Sequence, residues 1–313
     1  MKKIFILSIL FTSIFSKKIN AQVNESIFTI NITGGVLEGS LISQPSKNKL
    51  AIIIAGSGPT DRNGNNPLNV KANSYKMLAE ELNKEKIASI RYDKRAIGKS
   101  KLQVNDESKL LFTDYVNDAV ALYKYAKDSL GYKEVYFIGH SEGSLIGMLA
   151  TIETKAQGYI SISGAGRSID EIIEQQIESQ PEEVKQVVHE IFVSLKAGKE
   201  VDDVPQALYT LFRPSVQPYM ISWIKYNPSE EIKKLTQPIL LINGTCDIQV
   251  KPSEAELLNK ANPNSKLVII KKMTHALKDT GDDCNDAGMK TYTDPTLPLN
   301  TELVDTIIKF IYQ

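Results

Sequence analysis

Short apolar runs rich in β-branched residues recur along this chain, and each closes in a turn before a helical period begins. They fall at 28–32, 36–42, 50–55, 87–92, 134–138, 158–163, 238–243 and 266–270. The first two are joined by Thr33-Gly34-Gly35, a hairpin signal. The later ones alternate with amphipathic stretches near 74–85, 114–130, 145–154, 253–261 and 301–311. Strands that alternate with helices cannot pair as hairpins. They build a mostly parallel central sheet with helices on both faces, here led by one antiparallel pair.

The alternation breaks between about 166 and 234. Ile169, Ile172, Ile173 and Ile177 follow helical spacing, as do Val184, Val187, Val188, Ile191, Phe192 and Leu195 before a stop at Gly198. Amphipathic helices inserted between two strands read as a cap over the strand C-termini, where open α/β sheets place their sites. Residues 22–313 thus form one domain carrying an inserted helical cap.

The first residues are of another kind. Lys2 and Lys3 precede an apolar run from Ile4 to Phe15, and Ala21 offers a small residue before Gln22. This is the layout of a secretory signal peptide over 1–21, and the run is too short to span a bilayer comfortably as a transmembrane segment, an uncleaved amphipathic anchor being the alternative. An exported, periplasmic or extracellular, protein is expected. Export permits a bridge between Cys246 and Cys284, the two cysteines, but two separate thiols fit the sequence as well. Lys plus Arg and Asp plus Glu both number 37, so nothing basic recommends a nucleic-acid partner.

Gly139-His140-Ser141-Glu142-Gly143 fits Gly-x-Ser-x-Gly, a pattern a chain of this length meets by chance roughly once in ten. Its context is more telling. Residues 135–138 read as a buried strand and 145–150 as a helix, which is where a nucleophile elbow must sit. A serine hydroxyl needs a base. Of three histidines, His140 shares the elbow, its side chain directed away by the turn, and His189 falls on the polar side of a cap helix. His275, in the loop after the last strand run, remains. Asp247 ends the turn after the 238–243 strand and completes the chain order Ser, acid, His. Asp282 and Asp283 follow the histidine and fit that order less well. Gly56-Ser57-Gly58-Pro59 follows the 50–55 strand and should supply the second oxyanion donor. The Ser57 amide is the first choice and Gly58 the second, facing the Glu142 amide at the start of the next helix.

Other polar groupings read as structural. Asp61-Arg62-Asn63-Gly64-Asn65 lacks the closing Glu of a calcium loop and reads as a turn. Asp93 and Arg95 look like an ion pair bracing the loop after a strand. No cluster has metal-ligand spacing, so neither a metal nor another cofactor is expected.

Ala55 to Arg62, Asp93-Lys94-Arg95, Gly139 to Gly143, Gly244 to Val250 and Thr274-His275 come in an order that resembles bacterial α/β-hydrolases of the carboxylesterase and serine-aminopeptidase-like (S33-type) groups. The resemblance implies the α/β-hydrolase fold, Ser141, Asp247 and His275 as the triad, and a short- to medium-chain ester as substrate. Ala96 departs from the pattern, which usually has Gly after the Arg. The expected partner is a small-molecule ester, cleaved through an acyl-enzyme without a cofactor. A small amide or peptide is the second enzymatic reading. Glu171, Glu174 and Glu178 would then be the groups to bind its amine, although a solvated helix face accounts for them better. A binding protein that keeps the fold without catalysis is the third.

Overall fold

The computed structural model describes residues 24–313 except 105, 282, 283 and 285; the expected signal peptide and the Asp282-Asp283 pair lie outside the described residues. In chain order the main strands are β1 (Glu25–Ile32), β2 (Gly35–Ile42), β3 (Lys49–Ile54), β4 (Ala88–Tyr92), β5 (Glu134–His140), β6 (Gly158–Ile162), β7 (Ile239–Gly244) and β8 (Lys266–Ile270). They lie side by side as β1-β2-β4-β3-β5-β6-β7-β8, with the two-residue strand Lys101–Leu102 hung on β2. β2 runs antiparallel to both neighbours, and every later pairing is parallel. This is the expected sheet, led by a hairpin whose Gly34 takes φ 78°.

Central strands buried on both faces need side chains that are apolar on both. β3 supplies them: Leu50, Ile52 and Ile54 enter one core, and Ala51 and Ile53 the other, joined by Ala55 just past the strand. The first core is closed by α2 (Phe112–Lys124) and α3 (Glu142–Thr154), with Leu258 of α9 (Pro252–Ala261). The second is closed by α1 (Ser74–Lys84) and α11 (Thr301–Ile311). The parallel register aligns the strand C-termini: Ile54 lies opposite Gly139, His140 opposite Ile162, Ile162 opposite Ile242, and Gly244 opposite Ile270. Loops leaving β3, β5, β7 and β8 therefore open at one edge of the sheet.

Between β6 and β7 the chain forms α4 (Ile169–Gln176), α5 (Glu182–Lys196), α6 (Tyr209–Phe212), α7 (Gln217–Ile224) and α8 (Pro228–Glu231). α4, α5 and α7 share a core of their own, built from Ile173, Val188, Ile191, Phe192, Leu195 and Met220. α7 also lies against α2, with the Trp223 and Phe112 rings stacked 5.4 Å apart. α10 (Asp286–Thr293) follows the β8 loops and precedes α11. Cys246 and Cys284 form a disulfide, which the sequence left open.

Candidate active site

The chain turns from β5 into α3 within one residue. Ser141 sits at that turn with φ 54° and ψ −122°, a backbone conformation that costs a non-glycine residue about 1–3 kcal/mol. Packing holds it there. Ser141 N–H donates to the Ile162 carbonyl at 3.0 Å, and Ser144 N–H donates to the Ser141 carbonyl at 2.9 Å. The flanking glycines are obligatory: a Cβ on Gly139 would lie 2.1 Å from the Gly143 oxygen, and one on Gly143 would lie 2.4 Å from the Ile54 oxygen. α3 starts at Glu142, earlier than expected, because the elbow leads straight into the first helical residue. The Glu142 amide is thus one of the first-turn donors that a helix cannot pair internally.

His275 and Asp247 are both buried, and His275 Nδ1 meets Asp247 Oδ2 at 2.8 Å. The other carboxylate oxygen, Oδ1, accepts from the Gln249 and Val250 amides, each at 2.9 Å. Burial pushes the Asp247 carboxyl up. The charge and hydrogen bond of His275 and the Val250 amide outweigh that and hold it below its ordinary value. Asn243 stitches the same loop by donating to the Val250 and Lys251 carbonyls at 3.2 Å. The disulfide joins Cys246, the residue before Asp247, to the segment beyond His275.

Ser141, His275, Ser57, Gly58 and Glu142 line one cavity of about 670 Å³, with Asp247 behind His275. In this conformation no hydrogen bond joins Ser141 Oγ to His275 among the described residues. Tyr115 of α2 and Leu211, Val216, Tyr219, Met220 and Trp223 of the inserted segment make much of the remaining wall apolar. Arg213 Nε donates to Glu107 Oε2 at 2.9 Å and ties that segment to the loop before α2.

His140 is not simply turned aside. It is buried, its ring centroid lies 4.5 Å from that of His275, and its Nδ1 is 2.7 Å from the Tyr75 hydroxyl. That hydroxyl also accepts from Gly56 N–H at 3.1 Å, which ties the His140 ring to the loop after β3. Burial, then the neighbouring charge of His275, lowers the His140 pKa to about 3. His189 is exposed and lies 3.0 Å from Glu174, as a solvated helix face implies. Glu171 and Glu178 are exposed, and neither they nor Glu174 reach the cavity.

The expected Asp93–Arg95 pair does not form. Asp93 accepts from the Arg62 amide and guanidinium, both at 2.8 Å, and from the Lys99 amide. Arg95 instead grips both oxygens of Asp118 of α2 at 2.7 Å with its planar guanidinium fork, while Asp93 is taken up by Arg62 and Lys99. Ala96 keeps φ 60°, the conformation for which glycine is the usual choice. The Asp61 loop is a turn, its carboxylate accepting from the Asn63 and Asn65 amides. Lys94 is the residue that sequence reasoning passed over. Buried, it donates to the Gly56 carbonyl at 2.7 Å and to Glu142 Oε2 at 2.5 Å, and Tyr219 donates to the other oxygen of Glu142. Among the described residues no group of three or more His, Cys, Asp or Glu converges as a metal site, and no helix is long and apolar enough to cross a membrane.

The serine aminopeptidase S33 family model matches residues 68–211, and the TAP-like protein family model matches 222–302. Esterase EstD of Thermotoga maritima is 26% identical over 242 residues, covering 72% of this chain. The match takes in 54% of that protein, so the chain spans about half the length of its curated relative. Est1E of Butyrivibrio proteoclasticus, solved with ferulic acid bound, superposes with a TM-score of 0.61 at 20% identity, over 91% of this chain and 100% of that one. The Pyrococcus furiosus esterase Pf2001 gives 0.60 at 19% identity, over 93% and 91%. Proline iminopeptidase of Mycobacterium smegmatis gives 0.59 at 14% identity, over 92% and 98%. At such identities the solved structures speak to the fold alone.

Proposed function

We propose that the chain is an α/β-hydrolase of the serine-aminopeptidase-like and esterase group, and that it hydrolyses carboxylic esters with Ser141 as nucleophile, His275 as base and Asp247 as orienting acid. One observation carries the reading: a serine held at φ 54° on a strand-to-helix elbow shares a cavity with a histidine hydrogen-bonded to a buried aspartate. Asp247 occupies Nδ1, which leaves His275 Nε2 to take the Ser141 proton as Oγ attacks the ester carbonyl. The Ser57 and Glu142 amides receive the developing oxyanion, with Gly58 as the alternative to Ser57. Collapse of the tetrahedral species expels the alcohol, protonated by His275. A water deprotonated by the same nitrogen then releases the acid.

Two features support an ester of short to medium chain. A cavity of about 670 Å³ with a largely apolar wall suits a small uncharged acyl group. The carboxylates on that wall already have cations, Glu142 with Lys94 and Glu107 with Arg213, so neither is spare for a substrate amine. Intact mass after incubation with a fluorophosphonate is the test, run on the wild type and Ser141→Ala. One adduct on the wild type alone is expected, followed by hydrolysis of p-nitrophenyl esters but not aminoacyl amides. No adduct on a folded sample would sink the proposal.

Export belongs to the same reading. Lys2, Lys3 and the following apolar run support it, and a disulfide is at home outside the cytoplasm. The exported protein should lack residues 1–21 by mass. A full-length chain retained in the cytoplasm would refute this part.

A further inference from the structure

Lys94 raises a question that the proposed mechanism leaves unanswered. Its side chain and that of Glu142 are each only 3% exposed. Burying two opposite charges costs several kcal/mol per ion, and apolar residues of like size commonly serve stability as well or better. The pair therefore has to be understood through what it holds.

Lys94 Nζ holds the carbonyl of Gly56 at 2.7 Å. That carbonyl and the Ser57 N–H belong to one peptide unit, which is planar, and the described chain contains no cis peptide bond. In a trans unit the C=O and N–H point in opposite directions, so fixing one aims the other. The neighbouring peptide is held as well, since Gly56 N–H donates to the Tyr75 hydroxyl at 3.1 Å. Gly56 needs this bracing. It has little room for a side chain, since a Cβ would come within 3.2 Å of Ser141 Cβ, and glycine left alone is the most conformationally free residue. Beyond it, Ser57, Gly58 and Pro59 are exposed. A cation on the carbonyl oxygen also polarises the peptide and strengthens the N–H at its other end. The ammonium is itself located by Glu142, whose carboxylate it meets at 2.5 Å, and by the Tyr115 ring, whose centroid is 5.2 Å away.

We propose that Lys94 is a positioning residue: by anchoring the Gly56 carbonyl and the Glu142 side chain together, it aims the Ser57 N–H at the oxyanion. The inference rests on the ester-hydrolase reading for its kinetic consequence but not for its structural one. In Lys94→Met the Ser57 donor is misaimed, and loss of one oxyanion donor lowers kcat by about 100- to 1000-fold, so a partly misdirected one should lower it by about 30- to 300-fold with KM within about threefold. Affinity for a trifluoromethyl ketone, which forms a tetrahedral oxyanion on the serine, should fall in parallel.

Lys94→Met with Glu142→Gln removes the unpaired carboxylate and provides a folded background if the single variant is unstable. The double variant should stay slow, because neutralising Glu142 does not restore the anchor on Gly56. Recovery of wild-type kcat in the double variant would overturn the proposal. So would unchanged kcat and ketone affinity in a variant whose only defect is a lowered Tm. The Ser57 amide resonance, recorded without substrate, separates this idea from the ester-hydrolase reading. It should shift in both Lys94 variants even if no ester is ever turned over, and an unmoved resonance counts against the anchor.

Discussion

The hydrogen bonds around Asp247 make one substitution especially informative, Asp247→Asn. Oδ1 receives the Gln249 and Val250 amides, and Oδ2 receives His275 Nδ1. An asparagine has only one oxygen. Two backbone donors claim it at the Oδ1 position, so the NH2 group must occupy the place of Oδ2 and face His275. A donor facing Nδ1 drives the imidazole proton to Nε2, and the nitrogen that should accept from Ser141 can no longer do so. The loss of a charge-assisted hydrogen bond is worth about 1.5–3 kcal/mol, and holding the ring in the opposed tautomer adds about 1–3 kcal/mol. Together these predict a fall in kcat/KM of roughly 10² to 10⁴, at 1.36 kcal/mol per tenfold. The loop itself should survive, because both backbone donors keep their acceptor. The assay is p-nitrophenyl butyrate hydrolysis alongside the fluorophosphonate labelling rate, with ¹⁵N NMR of His275 to read the tautomer. A loss under tenfold, or a His275 proton that stays on Nδ1, would refute the reasoning.

Three other perturbations test different parts of the structure. Gly143→Ala would put a methyl 2.4 Å from the Ile54 oxygen and 2.7 Å from the Ala55 oxygen, both backbone, so it should cost about 3 kcal/mol or more in urea unfolding. An unchanged midpoint and labelling rate would contradict that packing. Replacing Cys246 and Cys284 by serine removes a closure over a sequence separation of 38, worth about 4 kcal/mol on the chain-entropy account; a calorimetric loss below about 1 kcal/mol would count against it. For His140, a folded pKa of about 3 lies below the ordinary 6.5, so the unfolded chain takes up a proton first as pH falls. Its contribution is complete above about pH 6.5 and declines by about 1.4 kcal/mol per unit toward pH 3. Asp118, which burial lifts to about 6 against the pull of Arg95, slopes the other way and cancels when wild type is compared with His140→Gln. The variant should lose less stability on acidification, and parallel curves would exclude the effect.

The sheet could be read from the chain because its signals are local. Alternate residues of β3 feed opposite cores, and α1 and α11 show a helical period that ends where turn residues begin. α7 escaped that reading for a physical reason. Gln217–Ile224 packs into the inserted core through Met220 and against α2 through Trp223, so it is apolar around much of its circumference and carries no one-sided stripe. The disulfide was undecidable for a related reason. Two cysteines 38 residues apart bridge or do not according to distances that only the folded loops set.

The same distinction runs through the site. Ser141, Asp247 and His275 could be singled out as the proposed triad because each follows a strand that announces itself, and a fixed chain order ranks the candidates. Buried charge pairs carry no such marker. Arg95 has an acid two residues away at Asp93, yet it pairs with Asp118, 23 positions along, while Arg62, itself 31 positions from Asp93, takes that nearer acid. Lys94 meets Glu142 across 48 positions and Gly56 across 38, and nothing in its own neighbourhood sets it apart from a solvated lysine. What singles it out is burial, and burial of a lysine is a property of the assembled sheet. The residue types that perform a reaction can be read from local pattern. The groups that aim them become visible only once the strands carrying them lie side by side.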